Sequence, residues 1–149
     1  MINHNIHEQW MYYALKEAKI AEKNEEVPIG AIVIKDDKIV GRGSNQVESL
    51  KDSTAHAEII AITSASNTLN DWRLNNCILY VTKQPCLMCL GSILNSRIEQ
   101  LYYGMHDSEA GTNTNILELT DKKHLKYIQG GVLLNECKEI LQKFFLKRR

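Results

Sequence analysis

The sequence predicts an α/β protein, a three-layer α/β/α sandwich around a mixed, mostly parallel five-stranded sheet. Three observations carry this. At 149 residues and 44% hydrophobic content, residues 1–149 fit one domain with one sizeable core, since domains run at about 100–200 residues. Beyond residue 53, strand-like runs alternate with helical ones, the order that builds a sheet with helices on both sides. The run NCILYVT (76–82) is apolar and β-branched throughout, as in strands buried on both faces.

The elements follow in order. Ile6, Trp10, Ala14, Ala18 and Ala21 recur at helical spacing and predict an amphipathic helix over 5–23, stopped by the polar run before Val27-Pro28. IGAIVIK (29–35) and KIVGRGSN (38–45) are β-rich and separated by Asp36-Asp37, which reads as a hairpin. The loop VESLKDST ends in Ser53 and Thr54, both suited to cap the helix predicted for HAEIIAITSAS. After the buried strand 76–82 come a short helix, CLMCLGSILNS, and a strand, RIEQLYYG (97–104). A strand in LKYIQG and a helix in NECKEILQKFFLKRR finish the chain.

Composition narrows the functional classes. Lys and Arg together number 18, as do Asp and Glu, so no global field marks a nucleic-acid binder, although a local basic patch can still serve. MINHNIHEQW is too polar for a secretory signal, and no stretch approaches the ~20 apolar residues of a membrane span. The expectation is a cytoplasmic protein with no membrane partner. Cys77, Cys86, Cys89 and Cys137 are too few and too unevenly spaced for a disulfide scaffold. Cys77 and Cys137 read as core residues, and Trp72 and Tyr102-Tyr103 as packing.

Cys86 and Cys89, in QPCLMC, lie on one face of a helix whose first turn suits Pro85. Thiols at a helix start meet unsatisfied N–H groups and the positive end of the dipole, which favours the metal-ligating thiolate. No second Cys-x-x-Cys or His pair completes a structural zinc site, whereas STAHAEII (53–60) offers His56 at another helix start. Three protein ligands leave one tetrahedral position open, the mark of catalytic zinc, where water is acidified to a pKa near ~7. Glu58 stands beside this site as a non-ligating general acid/base. Alone, HAE is a solvated helix start and Cys-x-x-Cys a weak redox motif. Together they predict one Zn2+ per chain, held by His56, Cys86 and Cys89.

The order His-x-Glu, then Pro-Cys-x-x-Cys, resembles the signature of zinc-dependent nucleobase deaminases. EVPIGAIV, DSTAHAEI, LYVT, PCLMCLGSILNSRI and NECKEILQKFF extend the resemblance over nearly the whole chain to the bacterial tRNA-specific adenosine deaminases. The resemblance implies a cytidine-deaminase-like fold, a homodimer, and conversion of the wobble adenosine in a tRNA anticodon stem-loop to inosine. It also implies that Asn45 hydrogen-bonds the flipped base, Asp107 lies near the backbone beside it, Val27 lines the pocket, and Phe145 packs on a splayed neighbouring base. As residues alone, Asn45 equally caps a turn, Asp107 starts one, and Phe144 or Phe145 anchors the last helix.

The chain departs from the family pattern at Gln84, where a Glu usually precedes Pro-Cys, at Glu109, where a basic residue is common, and in the polar GTNTN (111–115). Two rivals therefore stay open: deamination of a free base or nucleoside (cytosine, guanine or cytidine) by the same centre, and a non-catalytic, zinc-stabilised RNA-binding module. Lys143, Lys147, Arg148 and Arg149 on the last helix favour RNA.

Overall fold

A computed structural model describes residues 5–107 and 124–148 of the chain. The elements are α1 (Ile6–Lys23), β1 (Gly30–Lys35), β2 (Lys38–Ser44), α2 (Val47–Leu50), α3 (Ala57–Leu69), β3 (Ile78–Lys83), α4 (Leu87–Asn95), β4 (Gln100–Met105), β5 (Tyr127–Gln129) and α5 (Leu134–Lys147). Among the described residues the five strands form one sheet in the order β2-β1-β3-β4-β5. β1 is antiparallel to both neighbours, while β3, β4 and β5 pair in parallel. Four of the five strands therefore point the same way, and β1 alone runs against them.

Local chemistry explains the hairpin. Asp36 and Asp37 both adopt positive φ, 50° and 59°, the two-residue turn whose twist matches that of the strands. Every residue of β1 up to Ile34 is buried, because its side chains feed two cores. Ala31 and Val33 join Leu79, Val81 and Leu101 against Ala57, Ala61 and Ala65 of α3 and Leu90 and Ile93 of α4. Ile32 and Ile34 join Tyr80 and Tyr102 against Met11, Ala14 and Leu15 of α1 and Cys137 of α5. These two cores are the interfaces of the three layers. α3 approaches β2 closely because Gly41 and Gly43 carry no Cβ: one at Gly43 would collide with the backbone of Ala57 and Ala61. That approach fixes the start of α3 beside the end of β2.

Several expectations need correction. Ser53 and Thr54 do not cap α3. His56 occupies the cap position in an extended conformation, and Thr54 instead donates its backbone and hydroxyl hydrogens to Asp52 Oδ1 at 2.9 and 2.7 Å. Pro85 precedes the cap Cys86 rather than entering the first turn of α4. α3 continues to Leu69, and Asn70 ends it in the left-handed conformation. β4 begins only at Gln100 because Arg97 turns with φ 65°. The loop after β2 contains the short α2, which the sequence did not announce. Trp72 is 52% exposed and carries the Arg73 and Arg97 guanidinium groups over its ring at 4.5 and 5.2 Å, so it is not a core residue. No helix among the described residues is long and apolar enough to cross a membrane.

Candidate active site

The starts of α3 and α4 meet. His56 is the cap residue of α3, Cys86 that of α4, and Cys89 lies in the first turn of α4, fully buried. His56 Nδ1 is 3.6 Å from Cys86 Sγ and 3.5 Å from Cys89 Sγ, and the three potential ligand atoms all lie within 4.8 Å of one another. One imidazole and two sulfurs thus converge on a point that a metal ion could occupy. His56 sits outside the helix proper, so the helical wheel does not separate it from Glu58, and both face one cavity.

Burial sets the proton affinities. It pushes the His56 imidazole below its ordinary range, aided by the positive charge of Lys83; a neutral ring keeps the lone pair that ligation needs. It pushes the Cys89 thiol far up, with the Glu58 and Cys86 charges adding to the effect. Burial therefore favours the neutral thiol, and a bound cation is what would turn Cys89 into thiolate. Glu58, 4% exposed, is raised chiefly by burial, against the pull of its own backbone N–H, Cys89 and Lys83. A carboxyl with raised proton affinity, bordering a cavity, is suited to carry a proton.

That cavity holds about 380 Å³ and is lined by Val27, Asn45, His56, Glu58, Phe145 and Arg148, among others. The structure therefore gathers five of the residues singled out as site residues in the sequence, from both ends of the chain. Asn45 is 8% exposed. Its Nδ2 donates to the Val27 carbonyl at 3.3 Å, and its buried Oδ1 has no hydrogen-bond partner among the described residues. Phe145 is 50% exposed at the cavity wall, and its neighbour Phe144, which lines the same cavity, is buried.

Asp107 follows β4, where it pairs with Lys83 at 3.0 Å and donates its backbone N–H to Gln84 Oε1 at 2.9 Å. It is not part of the cavity lining. Lys143 is paired with Glu139 at 2.8 Å. Glu109, GTNTN and Arg149 lie outside the described residues. Sequence reasoning missed Glu26 and Ile29, which also line the cavity. Glu26 sits in a charged run that reads as solvated surface, and nothing in the pattern marks it as buried.

The class that this fold and cluster define is that of the hydrolytic deaminases. The MafB19-like deaminase family matches residues 5–149, and the chain belongs to it. Its relatives are narrower in name, as the sequence resemblance implied. It is 47% identical over 143 residues to the tRNA-specific adenosine deaminase of Buchnera aphidicola subsp. Schizaphis graminum, covering 94% of each chain. To the tRNA-specific adenosine deaminase of Bacillus subtilis it is 39% identical over 145 residues, covering 95% of this chain and 90% of the relative. A structure solved in a study of A-to-I editing by tRNA:A34 deaminases at the wobble position superposes with a TM-score of 0.84 at 38% identity, covering 89% of this chain and 99% of that one.

Proposed function

We propose that this protein hydrolyses the wobble adenosine of a tRNA anticodon stem-loop to inosine and ammonia, with one zinc ion per chain. The observation that carries the reading is the convergence of His56, Cys86 and Cys89 beside Glu58, at a cavity whose lining includes Asn45. The donor set fits zinc: with Zn–N near ~2.0 Å and Zn–S near ~2.3 Å, tetrahedral N···S edges come to about 3.5 Å, and the two edges here are 3.5 and 3.6 Å. Bound by these three residues, zinc would supply acidified water at neutral pH.

The chain's own residues do the rest. Glu58 takes a proton from the attacking water and gives it to the ring nitrogen next to the amino-bearing carbon. It then carries a second proton to the departing amine, so that water adds, ammonia leaves and a carbonyl remains. Asn45 Oδ1 accepts from a donor on the flipped nucleoside, Val27 packs against it, and Phe145 stacks on a splayed neighbouring base. Asp107, held by Lys83, lies near the backbone beside that base. Lys147 and Arg148, at the end of α5, meet phosphates. The reading extends to one deaminase domain over residues 1–149, acting as a cytoplasmic homodimer, as the family resemblance implies.

The test incubates zinc-loaded protein with an anticodon stem-loop carrying wobble adenosine, and in parallel with free cytosine and guanine, and measures inosine and ammonia. Inosine in the stem-loop is expected. Rapid deamination of a free base with no RNA binding at low salt would move the protein to small substrates, and no ammonia from any substrate would leave a binding module.

A further inference from the structure

The segment from Asn24 to Pro28, joining α1 to β1, holds three walls of the cavity through three consecutive residues. Glu25 adopts φ 60°, and its carbonyl accepts from Arg148 Nη2 at 2.8 Å, which ties down the end of α5. The Val27 carbonyl accepts from Asn45 Nδ2 at 3.3 Å. Between them Glu26, 1% exposed, reaches the loop between β2 and α3. Its Oε1 accepts from the Glu48 N–H at 2.9 Å, and its Oε2 from the Ser49 N–H at 2.7 Å and from Ser49 Oγ at 2.8 Å.

That loop begins at Asn45 and ends at His56, two residues of the site. Its base is closed by a bond from the Gln46 N–H to the Ala55 carbonyl at 3.0 Å, and its Val47 and Glu48 line the cavity. The geometry points to Glu26 as a positioning residue for substrate binding: its carboxylate clamps the Val47–Leu50 turn and so sets the shape of the cavity between Asn45 and His56. Burial alone would push this carboxyl up, yet the bonds from Glu48 and Ser49 outweigh it and hold the group below the ordinary glutamate range, so the clamp is ionised at neutral pH. An ionised acceptor suits it, because every group it meets in the loop is a donor. Glutamine at this position would turn an NH₂ toward one of those donors.

The inference rests on the cavity being the adenosine site. Its test uses the zinc-loaded full chain and the wobble-adenosine stem-loop, comparing the parent with Glu26→Gln and Ser49→Ala. Loss of a charge-assisted bond predicts KM for Glu26→Gln about tenfold higher, with kcat within about threefold of the parent. Ser49→Ala keeps both backbone bonds, loses only the hydroxyl, and so should shift KM the same way by about threefold; it also decides the matter if Glu26→Gln does not fold. Hydrogen exchange should quicken at the Glu48 and Ser49 amides in Glu26→Gln. A merely structural carboxylate would lower the active fraction at unchanged KM, and unchanged KM in the folded variants overturns the proposal. If the parent leaves the stem-loop untouched, the functional reading fails, while the exchange data still decide whether Glu26 clamps the loop.

Discussion

Replacing Asn45 by leucine, nearly its isostere, separates stability from function. In the free protein Asn45 Oδ1 is buried without a partner among the described residues, a burden of about 1–3 kcal/mol. Its Nδ2 makes one long bond to the Val27 carbonyl, and that carbonyl keeps a second partner in the Ile29 N–H at 2.8 Å. The lost bond therefore costs only about 0.5–1.5 kcal/mol and leaves no new orphan. The balance favours leucine by about 1 kcal/mol, or roughly 2–4 °C in Tm for a chain of this size. Activity should move the other way on the proposed role of Oδ1 as the nucleoside's acceptor: kcat/KM on the stem-loop should fall by about 10–100-fold. Calorimetry of the zinc-loaded proteins and initial rates of inosine formation give both quantities. A Tm lowered by several degrees with activity intact would show that Asn45 is a turn residue and refute the reasoning.

Glu58→Gln should keep its metal and fold while losing about 10²–10⁴-fold in deamination; metal analysis beside single-turnover rates checks it, and a rate near the parent's would place the proton transfer elsewhere. Cys86→Ser with Cys89→Ser should lose zinc by elemental analysis, and a full complement would sink the ligand set. Replacing Lys147 and Arg148 by Ala should flatten the salt dependence of RNA affinity by about 0.7 in log–log slope for each phosphate no longer neutralised, read by titration at several salt concentrations; an unchanged slope removes the basic end of α5 from the RNA surface. The Glu26 carboxyl is held below its ordinary range, so its stabilisation is present above the unfolded pKa and lost as pH falls through the lower folded one. Urea midpoints of the parent and Glu26→Gln should therefore differ at neutral pH and converge in acid; a gap that persists in acid would show that the ionised carboxylate is not the stabilising group.

Much of the chain was legible because its signals are local. The apolar repeat from Ile6 to Ala21 became α1, and Asp36-Asp37 became the turn between β1 and β2. Boundaries were less legible where a backbone turn, rather than periodicity, sets them, as at Arg97 before β4 and Asn70 after α3. The caps failed for a related reason. Thr54 bonds to Asp52, a competing local geometry open to the same residue types that cap helices, and this leaves His56 to begin α3.

The sequence by itself determined most of the element types and singled out His56, Glu58, Cys86 and Cys89 as a group. Cys86 and Cys89 lie within one turn of chain, as do His56 and Glu58, so each pair is local, while the tertiary structure brought the two pairs together. Only the tertiary structure decided what surrounds them. It brought Val27, Asn45 and Phe145 into one cavity with Glu58, paired Asp107 with Lys83, and buried Glu26 under Glu48 and Ser49. Those placements depend on which sheet face each helix covers and on how closely α3 lies against Gly41 and Gly43. Periodicity shows that a face is buried but not what it is buried against, and a carboxylate in a charged run looks solvated until the loop that donates to it has folded over it.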